Sequence, residues 1–157
     1  MFDQAVEIVL DHEGGEVNDP NDPGGHTKYG ISKRAYPDLD IGELTKDDAK
    51  RIYKSDYWDR IRGDEMPSAV DIGVFDMAVN AGNRTAVQLL QRIVGVTDDG
   101  VIGPITLEAV RKHDANWLAV RYAAERISYY AALSQWQRYG RGWTSRVVKT
   151  AIEAVML

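Results

Sequence analysis

The chain contains no cysteine, which excludes disulfides, thiolate nucleophiles and cysteine-held metal. Histidine is scarce too. His12, His26 and His113 stand apart, no His-Glu-x-x-His motif occurs, and nothing calls for a metal or other cofactor. No apolar run approaches the roughly 20 residues needed to cross a bilayer, so stable membrane insertion is not expected. The opening Met1-Phe2-Asp3-Gln4 lacks the basic start of a secretory signal. Synthesis in the cytoplasm is therefore expected, with any action outside it needing a membrane hole or a secretion system. A dense basic stripe with interleaved aromatics is also missing, which argues against nucleic acid as a partner.

What is present suits one folded body. The chain has 157 residues, 44% of them hydrophobic, enough for a single domain with a sizeable core. A monomer is the simplest expectation. The net charge of −5 is unevenly spread: residues 1–75 carry 9 Lys/Arg against 17 Asp/Glu, and residues 76–157 carry 10 against 7. An acidic half joined to a mildly basic one suits a polyanionic substrate gripped on one side, although ordinary surface solvation produces the same imbalance.

Periodicity is helical almost throughout. Phe2, Ala5, Val6, Val9 and Leu10 predict an amphipathic helix to about residue 13, ended by Gly14-Gly15. Residues 16–25 are mostly turn formers, and Thr27 to Ile31 suits one arm of a small hairpin. Ser32 is a candidate cap for a short helix that Pro37 stops, and Thr45 with Asp48 forms a capping-box pattern. Residues 68–81 read as the buried central helix with Gly82 as its stop, and Asn83 as the cap of the next. Gly103-Pro104 opens a further helix, Asp114 caps a long one to about Trp136, and Gly140-Arg141-Gly142 separates it from the last. The expected fold is mostly α, with a small irregular or β-hairpin loop near the N-terminus.

The chemistry concentrates in residues 12–31, HEGGEVNDPNDPGGHTKYGI. Glu13 lies at the end of an apolar helix, where partial burial favours a protonated acid; Asp22 lies in a polar glycine-rich loop that favours the carboxylate. Two carboxyl groups in contrasting settings are what glycosidic cleavage requires, and Thr27 stands where it can hold a water between them. Asp19, also followed by proline, is the natural rival of Asp22.

A helix-borne Glu, a loop Asp nine positions on and a Thr soon after resemble the Glu–Asp–Thr set of phage-type lysozymes, with the Asp-to-Thr gap one residue shorter. The closer resemblance is to glycoside hydrolase family 108, the N-acetylmuramidases of phage endolysins and of a bacterial toxin-secretion system. It rests on Glu13-Gly14-Gly15, Asn18-Asp19-Pro20, Asp22-Pro23-Gly24-Gly25, Thr27 and Gly30-Ile31. Tyr53 with Tyr57-Trp58-Asp59, and Phe75-Asp76 with Val79-Asn80-Ala81-Gly82, resemble later blocks of that family. Leu90-Gln91, Asp99-Gly100, Gly103-Pro104 and Thr106-Leu107 resemble the peptidoglycan-binding region that accompanies it. One position departs: the residue after Glu13-Gly14-Gly15, usually aromatic, is Glu16.

The resemblance implies a helical, lysozyme-like domain over residues 1–157, with a catalytic region at 1–83 and a wall-binding region at 84–157. It implies a lytic, antimicrobial peptidoglycan hydrolase with glycan strands as partner. Glu13, Asp22 and Thr27 are the catalytic candidates, and His26, Tyr29, Tyr57, Trp58 and Asn80 the substrate-binding ones. Asn80 reads either as a cleft residue bonding a sugar or as a satisfied core amide, and Trp58 as a stacking surface or as core. Trp117, Trp136 and Trp143 read as core or helix contacts. Arg138, Arg141 and Arg146 read as a solvated face or as a grip on an anionic polymer. A lytic transglycosylase and a non-catalytic wall-binding module are the competing functions.

Overall fold

The computed structural model describes residues 1–157, which fold into seven α-helices and one small sheet. Helix α1 (Phe2–Glu13) buries Ala5, Val6, Ile8, Val9 and Leu10 along one stripe. Gly14, at φ 73°, takes a left-handed setting that ends the helix while its N–H still bonds Leu10 O. Glu13 is thus the last helical residue before the chain turns away.

The expected hairpin is part of a three-stranded antiparallel sheet, β1 (Val17–Asn18), β2 (His26–Lys28) and β3 (Ile31–Ser32), in that spatial order. Thr27 sits in the central strand, opposite Val17 on one side and Ser32 on the other. The turn between β2 and β3 puts Tyr29 at φ 53° and Gly30 at φ 76°, the two left-handed positions of a tight hairpin. Tyr29 is strained there, and the Tyr53 hydroxyl holds it by donating to Tyr29 O at 2.8 Å. Gly30 answers a second demand as well. A Cβ at that position would clash with the Tyr53 hydroxyl and lie 2.9 Å from Glu13 Cγ.

Ser32 caps a turn rather than a helix, its Oγ accepting the Ala35 N–H at 3.1 Å. Pro37 disfavours helical backbone at Tyr36, leaving too few residues for a helix to form. The capping box at Thr45 and Asp48 is present in both directions and opens α2 (Lys46–Tyr53), which runs into a single π turn over Lys54–Trp58.

Helix α3 (Val70–Ala81) is central, packing against α1, α4, α6 and α7, and begins two residues later than the sequence suggests because Ala69 sits at φ 79°. Gly82 turns the chain straight into α4 (Asn83–Val94). Asn83 is therefore the first helical residue, not the cap, and its Nδ2 donates to Asp56 O at 2.8 Å.

Buried Gln91 organises the loop that follows α4. Its Nε2 donates to Asp99 Oδ1, Val101 O and Thr106 Oγ1, and its Oε1 accepts the Gly100 N–H. Helix α5 (Pro104–Arg111) then starts on proline, and Asp114 caps α6 (Ala115–Ala131) through the Trp117 N–H.

The glycines at 140 and 142 do not break the chain. Helix α7 (Trp136–Met156) runs through both, and the break falls at residues 132–135. Gly140 serves close approach: the Trp136 ring lies over its α-carbon, where a Cβ would be 2.7 Å from Trp136 Cδ2. One cluster of 33 buried residues draws on both halves of the chain.

Two predictions follow from buried polar groups. Gln91→Leu should lower unfolding stability by about 2 kcal/mol in urea titration, because the Gly100 and Asp99 groups lose their partner. Asp71, buried with its Oδ1 on the Ile72 N–H, is pushed up to about 6 by burial, over the opposing pull of nearby N–H groups and the amino terminus. Its native pKa exceeds its unfolded one, so its contribution is greatest below about pH 4 and fades as pH rises through 6. Asp71→Asn should therefore gain on the order of 1–2 kcal/mol over the parent at pH 8 and little at pH 4, read by urea midpoints at both.

Candidate active site

The end of α1 is held from two directions. On one side the Glu13 side chain packs on Gly30 at the β2–β3 turn. On the other, Arg146 of α7 donates from Nη1 to Glu13 Oε1 at 2.8 Å. The Glu13 side chain keeps 22% of its surface exposed and the Arg146 side chain 14%. Glu13 Oε2 carries no protein hydrogen bond, so one carboxyl oxygen is fixed and the other is free.

Arg146 is itself fixed. Its Nη2 and Nε both reach Asp76 Oδ1, at 2.8 and 3.1 Å, the fork geometry that lysine cannot reproduce. Asp76 lies fully buried in α3, and its Oδ2 accepts from Arg126 Nη2 at 2.7 Å. Thr150 Oγ1 adds a longer contact to Asp76 Oδ2 and lies 3.2 Å from His12 Nε2. Burial alone would raise Asp76, but Arg126 and Arg146 outweigh it and hold the carboxyl below its ordinary value. Desolvation likewise opposes the charge on Arg146, and Asp76 and Glu13 overcome it. Two guanidinium groups and two carboxyl groups thus form one connected set.

The loop and sheet bring a second group together. Asp22 Oδ1 accepts the Gly24 N–H at 2.8 Å. A Cβ on Gly24 would lie 3.2 Å from Asp22 Oδ1 and 3.4 Å from Thr27 Oγ1, so both oxygens converge over Gly24. Asp22 is exposed and Thr27 half-buried. Neighbouring His26 faces Glu16, with Nε2 2.6 Å from Glu16 Oε1. The residue that departs from the family pattern is therefore engaged by His26, not by Glu13. Asp19 accepts the Asn21 N–H in its own turn.

The aromatic candidates divide. Tyr29 is half-buried beside Lys28, and half-buried Tyr57 packs 5.9 Å from the Tyr53 ring. Trp58 is corrected to core: it is fully buried, edge-on to Phe2 and Phe75, with Nε1 donating to Asp64 Oδ1 at 2.9 Å. No face of that ring is open to a sugar. Asn80 lies exposed at the end of α3, its Nδ2 donating to Tyr130 Oη at 3.1 Å, so it is not a core amide. Trp117 also differs from expectation, standing 52% exposed against His113.

Sequence reasoning missed Arg146, Asp76 and Arg126 as one unit. The signal was Asp76 itself, an acid in the most apolar helix, which demands a cation close by.

Residues 6–82 match the family described as Glycosyl hydrolase 108, and residues 85–148 match the one described as Predicted Peptidoglycan domain. The solved structure of SagA from Brucella abortus is similar at a TM-score of 0.89 and 37% identity, over 99% of this chain and 94% of that one. The chain belongs to glycosyl hydrolase family 108. Among curated proteins no match is found. As a family 108 glycoside hydrolase followed by a peptidoglycan region, it is a hydrolase directed at peptidoglycan, and its mostly helical fold with a small N-terminal sheet is the one expected. No helix of this family 108 chain is long and apolar enough to cross a membrane. Glu13 falls in the first matched region and Arg146 in the second, so their contact joins the two.

Arg146→Lys tests that junction. The variant keeps the charge and loses the fork, and its rate of wall clearing per folded molecule should fall about tenfold or more. An unchanged rate, with only the melting temperature lowered, would reduce Arg146 to a packing role.

Proposed function

We propose that the chain is an N-acetylmuramidase that hydrolyses the β-1,4 bond between N-acetylmuramic acid and N-acetylglucosamine, with Glu13 as general acid. The observation that carries this reading is the held carboxyl group of Glu13. One oxygen is pinned by Arg146, the carbon stem rests on Gly30, and Oε2 is left without a protein partner. Proton transfer from Glu13 to the glycosidic oxygen leaves negative charge on the carboxylate as the bond breaks. The Arg146 guanidinium, 2.8 Å from Oε1, is in place to receive that charge without reorganising.

Asp22 and Thr27 take the water side of the reaction. Their oxygens lean over Gly24 together, a geometry suited to holding one water between a carboxylate and a hydroxyl. That water attacks the anomeric carbon and passes its proton to Asp22, completing hydrolysis. His26, Tyr29, Tyr57 and Asn80 lie on the same reading as glycan contacts. We assign catalysis to residues 1–83 and wall binding to residues 84–157, in a lytic enzyme of the endolysin type.

Glu13→Gln keeps the shape and removes the acid. Lysis of permeabilised cells should fall by at least about a hundredfold, the scale of general acid catalysis. Mass spectrometry of wall digested by the parent should show reducing muramic acid ends. Ends in 1,6-anhydromuramic acid would replace hydrolysis by transglycosylation, and full lysis by Glu13→Gln would remove Glu13 from the chemistry.

A further inference from the structure

A row of aromatic rings begins one helical turn from Arg146; α6 and α7 supply the rings, and α3 an amide in step with them. On α3, Asn80 stands one turn beyond Asp76; on α6, Tyr130 stands one turn beyond Arg126; on α7, Trp143 stands one turn before Arg146. The ion-pair layer of Asp76, Arg126 and Arg146 is thus backed by a second layer. In that layer Asn80 Nδ2 donates to Tyr130 Oη, and Tyr130 stacks on Trp143 with ring centres 5.0 Å apart. Tyr139, a further turn along α7, lies 5.6 Å from Trp143, and the Arg138 guanidinium sits 5.2 Å from the centre of the Tyr139 ring.

Exposure rises along the row. Tyr130 is 4% exposed, Trp143 is half-buried and Tyr139 is 46% exposed. Rings buried at one end and open at the other are braced from beneath, leaving the Tyr139 ring accessible. Tyr139, Trp143, Arg146 and Thr150 also share one stripe of α7. The open ring therefore lies on the same face as the residue that holds Glu13.

We propose that Tyr139, Trp143 and Asn80 form a platform that binds the glycan strand on the α7 side of Glu13. The inference rests on the glycan-cleaving reading above and adds where the strand lies. Its occupant is a linear N-acetylated glycan. Pyranose rings present flat C–H faces that pack on aromatic rings, and Asn80 Oδ1, free of protein partners, suits an acetamido N–H. Arg138, at the outer end, meets the acidic groups of the wall polymer. Trp143 and Tyr139 are separated by about 6 Å along the helix, on the scale of one sugar ring. The platform belongs to the second half of the chain, so the wall-binding region grips the strand next to the bond that is cut.

Binding is read apart from cleavage in the Glu13→Gln protein. The probe is peptide-free glycan strands from purified wall, titrated against tryptophan fluorescence. Saturating strands should shift the emission, and Trp143→Phe should remove most of that change while Trp117→Ala leaves it intact. Tyr139→Ala should weaken strand binding about tenfold and, in the otherwise unaltered protein, raise KM by a similar factor with a smaller effect on kcat. No binding by the Glu13→Gln protein, the same affinity in Tyr139→Ala, or the full signal in Trp143→Phe would overturn the platform. A dimer dispersed by Tyr139→Ala, with strand affinity unchanged, would assign the row to self-association instead. Failure of the acid assignment shows separately, as undiminished lysis by Glu13→Gln.

Discussion

One guanidinium ties the molecule together. Arg146 contacts Asp76 in the core and Glu13 at the end of α1, and those carboxyl groups belong to helices far apart in sequence. Without it, and without Arg126 behind, Asp76 would be a bare charge in the core. Such a set is sensitive to geometry because every member depends on its neighbours. The position of Glu13 is therefore set by the packing of α3 on α6 and α7 as much as by α1 itself.

That dependence explains why the small sheet is built as it is. Tyr29 accepts a left-handed backbone that tyrosine disfavours, and Gly30 lacks the side chain that would collide with Glu13 and Tyr53. The Tyr53 hydroxyl links that turn to α2. Lys28 donates to Gly42 O at 3.0 Å, tying β2 to the next segment. The sheet is only two or three residues wide per strand, too short to stand alone, so these ties supply what the ladder cannot.

The parts of this structure legible in the sequence are those governed by local rules. The end of α1 at Gly14, the capping box at Thr45 and Asp48, the proline start of α5 and the Asp114 cap each follow from residues within a few positions of one another. The unread parts depend on distant partners. Gly140 looks like a breaker until the Trp136 ring is seen lying over it, and Trp58 looks like a sugar platform until Phe2 and Phe75 enclose it. Arg146 looks like one of three surface cations, because its partners lie 70 and 133 residues away. In the candidate site the loop residues were visible as a motif, whereas the cation that holds Glu13 was not, since no local pattern encodes an ion pair across the fold.

The same ion pair bears on how a wall hydrolase spends its binding energy. A binding module on a flexible tether raises local concentration but has no hold on the reacting bond. Here the region matched to peptidoglycan binding supplies Arg146 directly to Glu13 and shares a hydrophobic core with the first half. Strand contacts made on α7 are then mechanically continuous with the proposed acid, and binding energy collected there can be used to orient the glycosidic oxygen against Oε2. In such a design the two halves, though given different tasks, cannot work independently. Removing the second half would uncover α3, which packs on α4, α6 and α7, and leave Glu13 without its cation, so cleavage would be lost together with grip.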